Sequence, residues 1–276
     1  MRVRDIKSDV LRKRVEGEQA FICQKEFTPD NPSIGVINRG LSEGDGFISL
    51  PSDRSIRIDV SLEAERNVVL PSAVLEHLIR TASHRVIINF CLCRDGMDCK
   101  DYPIDWGCIF MGEAAKAISP ELGRAVSVEE ALEYAARCRD AGLVHIVGRF
   151  SGDLRWLNPG VGPSDRLITV CNCCPCCCGM RSIPFVRPDI REQNLARMPG
   201  VEIEVGDECA GCGLCLDTCV FRGIELQDDK AVINERCRIC GRCTEICPNE
   251  AIKITVRSSH YVEEAIATLA GRVDVT

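Results

Sequence analysis

Two stretches decide the fold: Cys209-Ala210-Gly211-Cys212-Gly213-Leu214-Cys215-Leu216-Asp217-Thr218-Cys219 and Cys237-Arg238-Ile239-Cys240-Gly241-Arg242-Cys243-Thr244-Glu245-Ile246-Cys247-Pro248. Each has the spacing Cys-x2-Cys-x2-Cys-x3-Cys, and the second repeats the first at an offset of 28 residues. Gly213 maps onto Gly241 and Ile224 onto Ile252 at the same offset, so the duplication extends past the thiols. A short β-like stretch follows each group, Gly223-Ile224-Glu225-Leu226 and Ala251-Ile252-Lys253-Ile254-Thr255-Val256. Neither half can hold a core alone, so the two are expected to pack on each other around whatever the thiols bind.

This spacing resembles that of bacterial two-cluster ferredoxins, in which three close thiolates take three corners of one [4Fe–4S] cube and the fourth reaches the other cube. The resemblance implies Cys209, Cys212, Cys215 and Cys247 for one cluster, and Cys237, Cys240, Cys243 and Cys219 for the other. Tetrahedral zinc is the competing reading, but zinc needs two Cys-x2-Cys pairs rather than two quartets. One position departs from the pattern: Pro248 follows Cys247, whereas Val220 follows Cys219. A proline there lacks an N–H and stiffens the turn, so its loss bears on the potential of the cluster that Cys219 ligates.

Outward from the repeat, composition narrows the class. The chain has 276 residues and is 45% hydrophobic, enough for an ordinary core, so its 20 cysteines are not needed as disulfides. The start, Met1-Arg2-Val3-Arg4-Asp5-Ile6, has no apolar leader region, and no apolar run approaches the ~18 residues of a membrane span. In a reducing cytoplasm, the expected location, such thiols read as metal ligands. A net charge of −7 and the lack of a basic block argue against a nucleic-acid partner. No Gly-x4-Gly-Lys-[Ser/Thr] loop and no Gly-x-Gly-x2-Gly fingerprint is present, so the sequence shows no site for ATP, NAD or FAD.

The fold class expected is an α/β N-terminal Cys-rich domain (1–198) followed by a small α+β ferredoxin-like dicluster domain (199–257) and a C-terminal helical tail (258–276). Prolines at Pro184, Pro188 and Pro199 support the boundary. Val68-Val69-Leu70 precedes a segment whose apolar residues Val74, Leu75, Leu78 and Ile79 have helical spacing. Arg85-Val86-Ile87-Ile88-Asn89-Phe90 reads as a strand ending at Cys91. Ser127-Val128-Glu129-Glu130 reads as a capping box opening a helix that stops at Gly142. Leu143–Val147 and Arg166–Val170 read as further strands, the latter running into cysteines. If the strands before the two cysteine groups are parallel neighbours, the groups share one chamber beyond their ends. Tyr261–Leu269 reads as an amphipathic helix packed back on the molecule.

The upstream groups are Cys91, Cys93, Cys99 and Cys108, and Cys171, Cys173, Cys174, Cys176, Cys177 and Cys178. Pro175 favours a helix starting there, with the N–H groups of Cys176 and Cys177 open to an anion. Six thiols in eight positions exceed what one cube accepts, so two sites draw on the segment or some thiols stay free and reactive. Other residues carry weaker signals: His145 reads as a core histidine, Cys138 and Cys23 as structural or incidental thiols, Arg149 and Arg181 as surface ion pairs ahead of counter-charges to a cluster or an anion, and Trp106 equally as a shield for a cluster or as packing.

Cys91-Leu92-Cys93, Cys99, Lys100-Asp101-Tyr102-Pro103-Ile104-Asp105, Gly107-Cys108 and Cys171-Asn172-Cys173-Cys174-Pro175-Cys176-Cys177-Cys178, followed by the ferredoxin module, resemble a family of 4Fe-4S-binding proteins of anaerobes with an extra Cys-rich N-terminal domain. The resemblance implies the cofactor and no particular substrate. The expectation is an iron–sulfur electron-transfer protein of anaerobic metabolism, relaying low-potential electrons between partner redox proteins. Two [4Fe–4S] clusters and at least one additional Fe–S cluster between residues 91 and 178, of the [4Fe–4S] type, serve as its cofactors. The alternatives are a reductase with a substrate-accessible cluster or reactive thiols acting on a small molecule, and a metal or sulfur storage or delivery protein.

Overall fold

Alternating apolar residues on short β-branched runs build a six-stranded sheet in the computed structural model, which describes residues 1–58, 71–157 and 164–276. Two helices lead in: α1 (Asp9–Ile22), capped by Ser8, and α2 (Pro32–Ser42), capped by the Asn31 side chain with proline at its first position. They are followed by β1 (Gly46–Leu50), β2 (Ile56–Ile58), α3 (Ser72–Thr81), β3 (Arg85–Ile88), α4 (Leu92–Gly96), β4 (Ile109–Met111), β5 (Gly123–Ala125), α5 (Val128–Asp140), β6 (Val144–Arg149), α6 (Asp153–Leu157), β7 (Ile168–Cys173) and α7 (Pro188–Asn194). The segment Val68-Val69-Leu70 lies outside the described residues.

The sheet order is β1-β6-β7-β4-β3-β5, and every neighbouring pair is antiparallel. This corrects the parallel-neighbour expectation. β3 and β7 are separated by β4, and because each runs antiparallel to it they point the same way. The two cysteine groups therefore still emerge at one end of the sheet. Alternation gives the sheet two buried faces. Ile48, Leu50, Ile87, Ile109, Met111, Val147, Ile168 and Val170 face α3 and α5. Phe47, Val144, Ile146 and Cys173 on the other face meet Leu41 of α2, while Val86, Ile88 and Phe110 meet Val15 of α1 and Trp156 of α6.

The last third holds β8 (Val201–Val205), α8 (Leu214–Thr218), β9 (Ile224–Gln227), β10 (Lys230–Ile233), α9 (Arg242–Ile246), β11 (Ile252–Val256) and α10 (Tyr261–Ala270). β9 and β10 form a hairpin with Asp228 and Asp229 both at positive φ in a two-residue turn. β11 pairs antiparallel with β8 and parallel with β2, so the ferredoxin-like segment shares a sheet with residues from the start of the chain. Tyr261, Val262, Ala265 and Leu269 of α10 are buried in the same core as α3 and α5, so the C-terminal helix packs back on the molecule. Among the described residues no helix is long and apolar enough to cross a membrane.

Candidate metal centres

The duplicated segment folds as two equivalent halves. Gly213 (φ 77°) and Gly241 (φ 85°), related by the repeat, stand at the N-termini of α8 and α9, where a left-handed residue turns the cysteine loop into the helix. Cys209, Cys212, Cys215 and Cys247 line one small cavity together with Ala231, Pro248 and Ile252. Cys219, Cys237, Cys240 and Cys243 form the second quartet, where burial and the neighbouring sulfurs raise the Cys243 thiol. Burial likewise pushes Cys237 up to about 11. Main-chain donors point at the sulfurs in both halves: Gly223 to Cys219 (3.2 Å) and Ala251 to Cys247 (3.3 Å) at equivalent positions, with Ala231 to Cys209 (3.4 Å) and Ile239 to Cys237 (3.4 Å). All-sulfur ligand sets with such N–H···S bonds suit iron–sulfur clusters. Each quartet has one buried cysteine, Cys215 and Cys237, and only the first has an exposed one, Cys212, so the first quartet has the more direct access to solvent.

The ten upstream cysteines divide in two. Cys99, Cys174, Cys176 and Cys177 place their sulfurs within 4.8 Å of one another. Burial opposes ionisation of Cys99, but the N–H groups of Tyr102 and Asp101 hold it below the usual thiol range, whereas burial pushes Cys177 up to about 12. Four thiolates this close carry their charge only around a cation. No helix starts at Pro175. Residues 175–177 form a turn, and the Cys177 N–H is taken by the Cys174 sulfur (3.4 Å) rather than left open to an anion. The other six, Cys91, Cys93, Cys108, Cys171, Cys173 and Cys178, line one cavity of about 170 Å³, whose wall Cys174 of the quartet also reaches. Cys171 and Cys173 belong to β7 itself, not to a loop beyond it. The Cys108 and Cys171 sulfurs are 3.8 Å apart, which joins the two sequence groups across β4 and β7.

Several residues with no sequence signal shape this site. Arg94 is wholly buried, and its guanidinium donates to the carbonyls of Pro103 (2.9 Å), Asn172 (2.8 Å) and Trp106. Burial alone would lower its pKa, yet the Cys91 and Cys174 sulfurs raise it above the ordinary value. Arg242, also buried, reaches from the second ferredoxin-type quartet to the carbonyl of Cys173, and its Nε has no partner. Among the described residues no carboxylate pairs with either guanidinium, so the negative partner these buried charges require is the sulfur array itself. Cys23, read as incidental, lies beside the array with its sulfur 3.6 Å from the Leu92 carbonyl.

The cavity's outer wall is apolar, with Phe21, Phe27, Ile37, Phe47, Phe150 and Trp156. Its acidic groups are engaged: Glu18 takes two bonds from Arg155 (2.9 and 2.8 Å), and Asp45 takes two from Ser151 (2.8 and 2.7 Å). Loss of solvent pushes the Asp153 carboxyl up to about 7, despite its bonds from Thr169 (2.6 Å) and Trp156 (3.1 Å).

His145 is a core residue bonded through Nδ1 to the Asn172 carboxamide oxygen (2.9 Å), and burial lowers it to about 4. Cys138 is buried beside Tyr134 in the main core, where burial pushes it up to about 12. Arg149 lies 3.9 Å from Asp45. Among the described residues Arg181 has no ion-pair partner and instead donates to the carbonyls of Gln24, Lys25 and Cys178. Trp106 stacks under the Arg137 guanidinium, 4.9 Å from its ring centre.

Comparison with known proteins bears on the second half of the repeat. The model of the 4Fe-4S binding domain family matches residues 230–253, the segment that carries Cys237, Cys240, Cys243 and Cys247. No curated protein and no solved structure matches the chain. The matched domain together with the clustered thiols makes this an iron–sulfur protein, built on a mixed α/β fold.

Proposed function

We propose that the protein is an electron carrier of anaerobic metabolism in the cytoplasm, in which two ferredoxin-type [4Fe–4S] clusters serve a further iron–sulfur centre in the N-terminal region and exchange electrons with partner redox proteins. Cys209, Cys212, Cys215 and Cys247 would hold one cluster, and Cys237, Cys240, Cys243 and Cys219 the other. The third would draw on the six thiols Cys91, Cys93, Cys108, Cys171, Cys173 and Cys178. Bound clusters of this kind supply one-electron storage and transfer.

The observation that carries the reading is the placement of Arg242. It sits between two cysteines of the second quartet, is buried with no carboxylate partner among the described residues, and bonds the backbone of Cys173. One cation thus serves the sulfurs of both regions. Val220, Phe221, Cys219 and Cys240 also pack with Cys173 and Cys178 in one apolar cluster, which excludes water from the space between. At the opposite end, Leu214 and Leu226 are exposed beside the first quartet and offer an apolar contact to a protein partner.

A second reading, a reductase acting on a small molecule, is favoured by the apolar cavity over the six thiols and by Asp153 in its wall. Its carboxyl, near 7, can hold and release a proton at neutral pH.

Iron and acid-labile sulfide counts on anaerobically prepared full-length protein, with electron paramagnetic resonance of the reduced form, test the proposal. About twelve cluster irons are expected, and Cys108→Ser with Cys171→Ser should remove about four while the two ferredoxin signals persist. A content of about eight, unchanged by those substitutions, would remove the third centre. A signal shifted by added small ligands would favour the reductase.

A further inference from the structure

We infer that Cys99, Cys174, Cys176 and Cys177 form a separate site for one thiophilic divalent ion, zinc or iron, in tetrahedral coordination. The inference stands apart from the electron-transfer role, because it rests on the spacing of four sulfurs that the proposed clusters do not use.

An ion that binds thiolates at about 2.3 Å places the corners of its tetrahedron about 3.8 Å apart. The Cys99 and Cys176 sulfurs are 3.6 Å apart, and all four sulfurs fall within 4.8 Å of one another. A cube stands four irons and four sulfides between its ligands and needs thiolates spread more widely. The chain supplies its own comparison: among the described residues, neither ferredoxin-type quartet brings even three sulfurs within that distance. Local sequence agrees, since Cys174 and Cys177 form a Cys-x2-Cys pair closed by the N–H···S bond of the turn at residues 175–177. Cys176 adds a third ligand from the same turn, and Cys99 comes from the loop after α4.

An ion there would staple that loop to the end of β7. Cys108 lies on that loop, Cys171 and Cys173 on β7 and Cys178 just beyond it, so the staple would hold the separation of these cavity thiols. Cys99, Cys174 and Cys177 are buried and Cys176 is partly so, which would make the ion slow to exchange.

The test compares iron, zinc and acid-labile sulfide in full-length protein prepared anaerobically with both metals supplied, before and after Cys99→Ser and Cys176→Ser. Loss of one zinc or one iron per chain, with sulfide and the reduced-cluster resonances unchanged, is the expected result. Loss of about four irons with about four sulfides, or no change in any metal, overturns the inference. If the variants do not fold, the unsubstituted protein decides. Either zinc-edge X-ray absorption shows four sulfur neighbours at about 2.3 Å, or iron exceeds labile sulfide by one equivalent; finding neither overturns the site.

Discussion

Arg94 brings a full positive charge into the interior and meets it with three carbonyl oxygens and an array of sulfurs, not with a carboxylate. Its first effect is mechanical: it ties the loop carrying Pro103 and Trp106 to β7 at Asn172, which brings Cys108 against Cys171. Its second effect is electrostatic, since thiolates bound to iron are stabilised by a nearby desolvated cation. Arg94→Met keeps most of the apolar volume and leaves the three carbonyls unpaired. A loss of about 3 kcal/mol in stability is expected. Iron assigned to the six thiols should fall while the ferredoxin resonances remain, which denaturant titration and iron analysis check together. Nothing in the sequence around Arg94 announces this role, because its partners lie on the backbone, where every residue offers the same carbonyl. Cys23 carries no local signal for a related reason: only the packing of α1 against α4, in which Gln19 donates to the Leu92 carbonyl (3.2 Å), brings it to the site.

At the scale of elements, local signals were legible wherever local chemistry decides. Ser127 caps α5 by accepting the Glu130 N–H (3.2 Å), and Gly142 ends it at φ 79°. The carboxylate of Glu130 lies 2.5 Å from Arg124, so the reciprocal half of the capping box is replaced by an ion pair from β5. Ser127→Ala is therefore expected to cost about 1 kcal/mol, read from the midpoint of chemical denaturation, with metal content unchanged. Strand positions were legible from their apolar runs, but their partners were not. A run such as Arg85–Ile88, buried on both faces, reads the same in a parallel or an antiparallel sheet. Pro175 suits a turn as well as a helix start, and residues 175–177 form the turn. There the Cys174 sulfur decides, by accepting the Cys177 N–H that a helix would have left open.

For the whole molecule, the pairing of β2 with β11 and the burial of α10 against α3 and α5 link the first and last segments of the chain. The N-terminal region and the ferredoxin-like segment share one apolar core, which includes Val147, Ile168, Ile239 and Ile254. Anaerobic denaturation followed by far-ultraviolet circular dichroism and by cluster absorbance should therefore give coincident transitions. Two separated midpoints would show that the segments fold independently. By itself the sequence determined that the last third carries an iron–sulfur-binding pattern, because Cys-x2-Cys-x2-Cys-x3-Cys is local and its spacing is set along the chain. It also located the ten upstream thiols. Only the tertiary structure decided that they gather into a tight quartet and a cavity lined by the other six with Cys174, and that Arg242 reaches from the second ferredoxin-type quartet to that cavity. Those distances depend on which strands are neighbours and on where buried guanidinium groups find their carbonyls, and both are settled by packing across the sheet.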